Sequence, residues 1–397
     1  MAFPRRYFTA LILVLAAWVP SHAPAFDVEA SSAYVVDMGT GTVLLSKNAD
    51  VPLPPASMSK LMTLYVAFEA IRDGRLTLDE QLPVSEHAMS FGGSTMFLDT
   101  TDRVSVEDLL RGIIVLSGND ACVVLAEALS PDGTEAGFAQ FMTDRARQLG
   151  MNNSVFVNAS GWPAPGHVMS MRDLAILAER LIEDFPEFYP MFAETEFEFD
   201  GRAPQNKRNR NPVLQLGIGA DGLKTGHTQE AGYGLVGSAR QGDRRVIFVI
   251  SGLESAGQRA KEAEALVNWS FRQFAERTLA TAGQQIARAP VWMGGAATVG
   301  LTPVEDIVML VPAISSKELA AEIVYTGPLE APVAQGQTVA ELVIMPEGMP
   351  ERRIDLVAAE GVSRGGFTVR LKTVAGLLMS RLRQGASPAQ EASEGSS

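Results

Sequence analysis

Hydrophobic residues recur at helical spacing after a pair of prolines near the start of the chain. Pro54 and Pro55 end the preceding segment, and the pattern predicts a helix whose first turn contains Ser57. Lys60 follows three positions later, which places its amine on the same helical face as the Ser57 hydroxyl. Such a pair is either an activated serine nucleophile or a capping serine beside a solvated lysine. The apolar positions of this helix are Leu61, Leu64, Val66 and Phe68.

A second buried helix leads into a short polar connection. The segment 106–116 has the period of a largely buried helix, and Gly118 permits it to stop before the next apolar helix, 121–129. Ser117 and Asn119 therefore lie on a connection that can present polar groups to a cleft. A C-cap glycine followed by an N-cap asparagine is the alternative explanation. Further helices are predicted at 138–149 and 170–183.

Strand-like segments precede and follow these helices. The first two predict a β-hairpin, and the later three predict neighbouring antiparallel strands, followed by a helix from about 260 to 277. From about residue 280 onward, valine, proline and glycine dominate, which predicts a small all-β domain. The fold class is therefore α+β, an antiparallel sheet flanked by helices with an all-β domain behind it. The predicted strands are 32–37, 41–45, 223–227, 234–239 and 245–251.

The N-terminus has the pattern of an export signal. Arg5 and Arg6 precede an apolar run from Ala10 to Val19, which is too short to span a bilayer, and small-residue cleavage sites follow. We expect the mature protein to begin near Phe26 and to work outside the cytoplasm. The arginine pair leaves twin-arginine export as an alternative route.

An amphipathic segment lies near the C-terminus. Within 368–384 one helical face is apolar, and arginine and lysine side chains occupy other faces. Such a helix can lie on an anionic membrane surface, or it can dock on its own domain. The small, polar tail 385–397 is expected to be disordered.

Composition and charge exclude several classes of partner and site. The 397-residue chain has a formal net charge of −13, and removal of the signal peptide would take away two arginines and make it more acidic. An acidic protein is a poor candidate for binding nucleic acid. The single cysteine, Cys122, rules out an intramolecular disulfide and is expected to be a buried thiol. The four histidines are scattered without metal-ligand spacing, so neither a metal nor another cofactor is predicted.

Three motifs occur in order along the chain and together narrow the function. They are Ser57-Met58-Ser59-Lys60, Ser117-Gly118-Asn119 and Lys224-Thr225-Gly226. With the residues around them, they resemble the low-molecular-mass penicillin-binding proteins that are D-alanyl-D-alanine carboxypeptidases. The resemblance covers residues from about 30 to 275, and it implies a C-terminal β-sandwich and a membrane anchor beyond them. The predicted organisation is a signal peptide (1–25), a catalytic domain (26–277), a β-sandwich domain (280–367), a membrane-associating helix (368–384) and a disordered tail (385–397).

The resemblance implies an acyl-transfer mechanism. Ser57 is expected to attack the peptide bond between the two D-alanines of a peptidoglycan pentapeptide, with neutral Lys60 as its base. Burial and the second cation, Lys224, are expected to lower the pKa of Lys60. Ser117 is expected to relay the proton to the leaving amine. The backbone N–H groups of Ser57 and His227 are expected to form the oxyanion hole.

The resemblance also assigns substrate-binding roles. Asn119 is expected to bind the substrate amide, and Lys224 and Thr225 are expected to bind the terminal carboxylate. Gly226 is expected to let the substrate backbone approach the strand, because it has no side chain. Arg210 is expected near the carboxylate pocket.

The motifs leave two alternative functions. A D,D-endopeptidase that cuts peptidoglycan cross-links would carry the same motifs, and a non-catalytic wall-binding protein would retain them without turnover. β-Lactam antibiotics are expected to acylate Ser57 and leave slowly, because the Glu-x-x-Leu-Asn motif of class A β-lactamases does not follow Asn119. The chain departs from the family pattern in its polar tail and at Gly252-Leu253-Glu254, where many relatives carry a basic residue.

Overall fold

The computed structural model describes residues 26–202, 206–313, 320–345 and 351–367. The predicted signal peptide (1–25), membrane-associating helix (368–384) and tail (385–397) lie outside the described residues. Within the described ranges, no helix has the length and apolar character needed to cross a membrane.

Seven α-helices and fifteen β-strands are assigned in the described residues. The helices are α1 (Lys60–Arg72), α2 (Glu86–Met89), α3 (Val106–Arg111), α4 (Asn119–Leu129), α5 (Glu135–Gln148), α6 (Met171–Asp184) and α7 (Ala256–Arg272). The strands are β1 (Ser32–Asp37), β2 (Val43–Lys47), β3 (Gln81–Pro83), β4 (Arg103–Ser105), β5 (Ala220–Thr228), β6 (Gly232–Gln241), β7 (Arg244–Leu253), β8 (Phe274–Ala280), β9 (Ala287–Trp292), β10 (Thr298–Pro303), β11 (Ile307–Pro312), β12 (Ala320–Val324), β13 (Leu329–Glu330), β14 (Thr338–Met345) and β15 (Arg352–Ala358).

A five-stranded antiparallel sheet in the order β2-β1-β7-β6-β5 organises the larger domain. The side chains of each strand contribute alternately to two hydrophobic cores, one on each face of the sheet, because successive side chains of a strand point to opposite faces. Ile247 and Val249 of β7 pack into the larger helical core, whereas Phe248 and Ile250 join the core that also contains Leu266 of α7. The predicted hairpins of this sheet are confirmed. The strand β5, which carries the third motif, lies at the edge of the sheet.

The helix after the first motif is the centre of the larger core. Nearly every residue of α1 is buried, including those between Leu61 and Phe68 that carry the predicted helical pattern. A helix that is apolar all round can only be stable when other elements surround it. The N-cap of α6 is also confirmed, because the Ser170 hydroxyl accepts from the backbone N–H of Asp173. Cys122 is buried as a free thiol, as predicted.

The predicted stop residue of one helix and the predicted end of another are wrong. The helix before the second motif continues as a π-helical turn, Gly112–Leu116, and Ser117 rather than Gly118 takes the left-handed conformation that ends it. A Cβ on Gly118 would lie 3.1 Å from Asp120 and 3.2 Å from Met96, so this glycine serves close packing. The last helix, α7, ends at Arg272 instead of Arg277, because the next residues pair with β11 as strand β8.

The C-terminal region forms the predicted β-sandwich. A six-stranded sheet has the order β12-β14-β15-β10-β9-β13, and β8 pairs with β11 in a separate ribbon. Side chains from both layers share one hydrophobic core, including Met309 of the ribbon and Leu342 and Leu356 of the sheet.

Candidate active site

Ser57 and Lys60 are held together by a tight helical turn. Residues Ala56–Ser59 form a 3₁₀ turn directly before α1, and side chains three apart eclipse each other in this geometry. The Lys60 Nζ lies 2.9 Å from the Ser57 Oγ. Ala56 has a left-handed φ of 49°, an uncommon conformation that is concentrated at functional sites. The predicted pairing of hydroxyl and amine is therefore present, although Ser57 lies in a 3₁₀ turn rather than in the α-helix itself.

The amine of Lys60 is completely enclosed. Its Nζ also lies 2.8 Å from Asn119 Oδ1, and it donates to the main-chain carbonyl of Ser160. Burial lowers the pKa of Lys60 to about 8, while Cys122 raises this pKa and Arg210 lowers it. Asp120 makes a smaller contribution that raises it. A lysine with this pKa is partly neutral near pH 7 and can accept a proton.

The second motif meets the first through Asn119. Asn119 begins α4, and its side chain makes two hydrogen bonds. Its Oδ1 accepts from Lys60, and its Nδ2 donates to the Gly92 carbonyl at 2.8 Å, so it connects Lys60 to the segment between α2 and β4. Ser117 is buried and takes φ 63° and ψ 37°, between the π-helical turn and α4. The second motif is therefore a short connection between buried helices, as predicted.

The third motif meets the first through Gly226. A Cβ on Gly226 would lie 2.9 Å from the Pro55 carbonyl oxygen and 3.0 Å from Met58 Cγ, so β5 packs directly against the 3₁₀ turn. The missing side chain thus makes room for the protein's own turn, whereas the sequence suggested that it makes room for the substrate backbone. Lys224 and Thr225 are both buried beside this contact.

The two lysines of the motifs repel each other. Burial lowers the pKa of Lys224 well below its ordinary value, and the charge of Lys60 lowers it further. The predicted repulsion between Lys60 and Lys224 is therefore present, but it lowers the pKa of Lys224 and not that of Lys60. Arg210 is the cation that lowers the pKa of Lys60.

His227 and Arg210 lie at the open side of the site. His227 is exposed and stacks on Tyr233, with ring centroids 3.8 Å apart. Arg210 is also exposed; it donates to the Ser94 hydroxyl at 3.0 Å and to the main-chain carbonyl of Leu116. Because Leu116 precedes Ser117, Arg210 holds the second motif in place.

Two groups of the site escaped the sequence analysis. Asn158 Oδ1 accepts from three successive backbone N–H groups, of Ser160, Gly161 and Trp162, and this turn aims the Ser160 carbonyl at Lys60. The sequence Asn158-Ala159-Ser160-Gly161 has turn-forming residues that could have marked it. The buried carboxylate of Asp120 accepts from the N–H groups of Met96, Leu98 and Ala121, and this role has no sequence signature.

Comparisons with known proteins decide the family. A family model described as D-alanyl-D-alanine carboxypeptidase matches residues 19–255, which is more than half of the chain. The chain belongs to this family. A second model, described as the penicillin-binding protein 5 C-terminal domain, matches residues 274–364. The family predicted from the three motifs is therefore confirmed.

Curated and solved proteins are similar to this carboxypeptidase-family chain over different shares of its length. DacC, a D-alanyl-D-alanine carboxypeptidase of Escherichia coli K12, is 37% identical over 87% of this chain and 87% of its own length. Penicillin-binding protein 5 of Haemophilus influenzae superposes with a TM-score of 0.71 at 33% identity, covering 85% of this chain and 98% of that structure. The ampicillin-bound penicillin-binding protein D2 of Listeria monocytogenes, at 33% identity and a TM-score of 0.56, covers 62% of this chain and 100% of that one.

Proposed function

We propose that this protein is a serine-type carboxypeptidase that removes the terminal D-alanine from peptidoglycan pentapeptides. The observation that carries the proposal is the buried Lys60 amine, 2.9 Å from the Ser57 hydroxyl, with its pKa lowered to about 8. A serine is a weak nucleophile until a neighbouring base takes its proton. Family membership supplies the substrate class.

The proposed acylation step uses residues of all three motifs. Neutral Lys60 takes the Ser57 proton, and the Ser57 oxygen attacks the carbonyl between the two D-alanines. The N–H groups of Ser57 and His227 stabilise the negative oxygen that develops. Ser117 relays the proton held by Lys60 to the leaving amine, so that the C–N bond breaks, free D-alanine departs and an ester to Ser57 remains. Water then hydrolyses this ester and returns the hydroxyl.

Substrate binding uses the other motif residues. The Asn119 amide has two N–H donors, of which one bonds to the Gly92 carbonyl, so the second can donate to the substrate. Lys224 and Thr225 bind the terminal carboxylate, which a substrate extended at that end would lack. Arg210 holds the second motif and adds positive charge at the cleft. Penicillins enter by the same acylation and, without a glutamate-activated water, leave slowly.

Release of D-alanine tests the proposal directly. The wild-type protein should release D-alanine from a pentapeptide that ends in two D-alanines, and fluorescent penicillin should label it covalently. Ser57→Ala should abolish both signals, whereas Ser90→Ala, at an exposed serine of the helical region, should retain them. Chromatography of cross-linked muropeptides separates this activity from endopeptidase cleavage. A protein that stays unlabelled and releases no D-alanine would be a wall-binding protein instead.

We further propose that the protein is exported and acts at the outer face of the cytoplasmic membrane. The apolar and basic pattern of 368–384 supports attachment to anionic lipid. Co-sedimentation of the full chain with vesicles containing phosphatidylglycerol, compared with a chain ending at residue 367, tests this. Equal sedimentation of both chains would refute attachment through this segment.

A further inference from the structure

A cavity opens beside the turn that carries the nucleophile. Its volume is about 370 Å³, within the range of ~300–1,000 Å³ that is typical of small-ligand sites. Its wall runs from Ala56, which precedes Ser57, across the loop that contains Trp162, to Thr228 and Glu230 beyond the third motif. Prolines form much of the remaining wall, and their fixed backbone angle makes it stiff.

The wall of this cavity carries one charge, the carboxylate of Glu230. His167 is the other titratable side chain among the described residues that line it. Burial and the charge of Lys60 lower the pKa of His167 to about 4, so this ring is neutral near pH 7. Within the described ranges, the Glu230 carboxylate is exposed and makes no ion pair or hydrogen bond, whereas Glu194 pairs with Arg111 at 2.8 Å. The cavity therefore presents an unpaired negative charge.

Trp162 is a fixed but exposed aromatic part of the same wall. The side-chain amide of Asn158 holds its backbone on both sides, because Oδ1 accepts from the Trp162 N–H at 3.1 Å and Nδ2 donates to the Trp162 carbonyl at 2.8 Å. The indole ring lies edge-on to Phe91, with ring centroids 6.4 Å apart, and a Cβ on Gly93 would lie 3.0 Å from it. Trp162 is nevertheless 44% exposed. An exposed indole ring attracts cations, as a carboxylate does.

The cavity lies on the acyl side of the bond that the proposed function cleaves. In that function the terminal carboxylate binds at Lys224 and Thr225, and the carbonyl under attack meets the N–H of His227. The rest of the stem therefore continues along β5 toward Thr228 and Glu230. Since β5 is an edge strand, an extended peptide can lie along it. At about 3.3 Å per residue, the residue before the two D-alanines lies about 7 Å from the terminal one, which brings its side chain to the cavity.

We propose that this cavity binds the side chain of the residue that precedes the two D-alanines, and that Glu230 and Trp162 select a side chain ending in an amine. An alkylammonium group complements a carboxylate that stands beside an aromatic ring and an apolar wall. Glu254, which departs from the family pattern, adds a second carboxylate in an adjoining cavity that shares Pro54, Thr228 and Glu230 with the first. This inference rests on the proposed carboxypeptidase function.

Two tripeptides that differ only in acetylation of one amine test the inference. Nα-acetyl-L-lysyl-D-alanyl-D-alanine has the charged side-chain amine, and its Nα,Nε-diacetyl form has the same peptide bonds without that charge. The full-length wild-type protein, Glu230→Gln, Glu230→Asp, Trp162→Leu and the matched control Glu187→Gln are compared by kcat/KM for release of D-alanine from both substrates. Glu187 is exposed and follows α6, which ends beside the last turn of α1, at the end remote from Ser57.

We expect the wild-type protein to prefer the substrate with the charged amine. Glu230→Gln should lower the amine-to-acetyl ratio of kcat/KM by about threefold, the size expected for one ion pair at a partly exposed site. Trp162→Leu should lower it by about twofold to fivefold, as expected for the loss of a cation–π contact. Glu230→Asp should retain most of the ratio, and Glu187→Gln should leave it unchanged.

Several results would overturn the inference. They are equal wild-type kcat/KM on both substrates, an unchanged ratio in Glu230→Gln or Trp162→Leu, and equal losses on both substrates in these variants. Covalent labelling by fluorescent penicillin verifies that each variant is folded. If Trp162→Leu does not fold, the ratio of Glu230→Gln decides alone.

Failure of the proposed function gives a different result. In that case the wild-type protein releases D-alanine from neither tripeptide, and the inference falls with the function. Failure of the inference alone leaves wild-type turnover of both tripeptides intact, while the ratio does not respond to residue 230.

Discussion

The rate of acylation should depend steeply on pH through Lys60. Only the neutral amine can take the Ser57 proton, and burial lowers the pKa of this amine to about 8. Lowering the pH adds a proton to Lys60 and removes its function as a base. The acylation rate should therefore fall below pH 8 and reach a plateau above it.

The size of this effect follows from the pKa. With a pKa of about 8, roughly 1% of Lys60 is neutral at pH 6, about 9% at pH 7 and about half at pH 8. Acylation should thus rise by about fiftyfold between pH 6 and pH 8, and only about twofold above that. A solvated lysine with the ordinary pKa of 10.5 would give a rate that is still rising tenfold per unit at pH 9.

Stopped-flow acylation by fluorescent penicillin measures the profile without the later steps. Lys60→Arg is the matched variant, because arginine retains the positive charge but stays protonated in proteins. We expect this variant to lose acylation at every pH. A wild-type profile that is flat between pH 6 and pH 8, or one whose midpoint lies near 10.5, would refute the assignment of Lys60 as the base.

Three further outcomes are expected. Gly226→Ala should lower the free energy of unfolding by about 1–3 kcal/mol and slow acylation, because its Cβ would lie 2.9 Å from the Pro55 carbonyl oxygen. Denaturant titration measures this loss, with Gly39→Ala as the control, since a Cβ at position 39 makes only an ordinary 3.7 Å contact. Asp120→Asn should cost about 1–3 kcal/mol in the same titration, because an amide can place an N–H against backbone donors, while Asp79→Asn, at an exposed aspartate, should change little. Between pH 8 and pH 10, the wild-type protein should gain on average about 1 kcal/mol of stability per pH unit relative to Lys60→Met, because the unfolded chain still binds the proton that folded Lys60 has lost. Parallel stability curves would contradict the lowered pKa.

Local patterns were sufficient for the main elements and for the family. The helical period after Pro55, the capping serine at position 170 and the alternating strands around Gly242 all correspond to observed elements. These signals are local, because periodicity and capping depend on residues only a few positions apart. The three motifs likewise required only their own residue types and their order along the chain.

Helix ends were less predictable because distant residues determine them. Gly118 looked like the residue that stops a helix, yet Ser117 takes the left-handed conformation, and Gly118 instead leaves room for Met96 and Asp120. The residues after Arg272 looked helical, but pairing with β11 makes them a strand. In the second case a tertiary contact outweighs the local preference.

The sequence by itself determined which groups the chemistry needs: a serine, a lysine three residues later, and two polar motifs further along. Only the tertiary structure decided the state of those groups. The pKa of Lys60 depends on enclosure by α4 and the Ser160 turn, and the place of β5 depends on the absence of a side chain at Gly226. Burial and charge repulsion arise between residues far apart in the chain, so no spacing in the sequence encodes them.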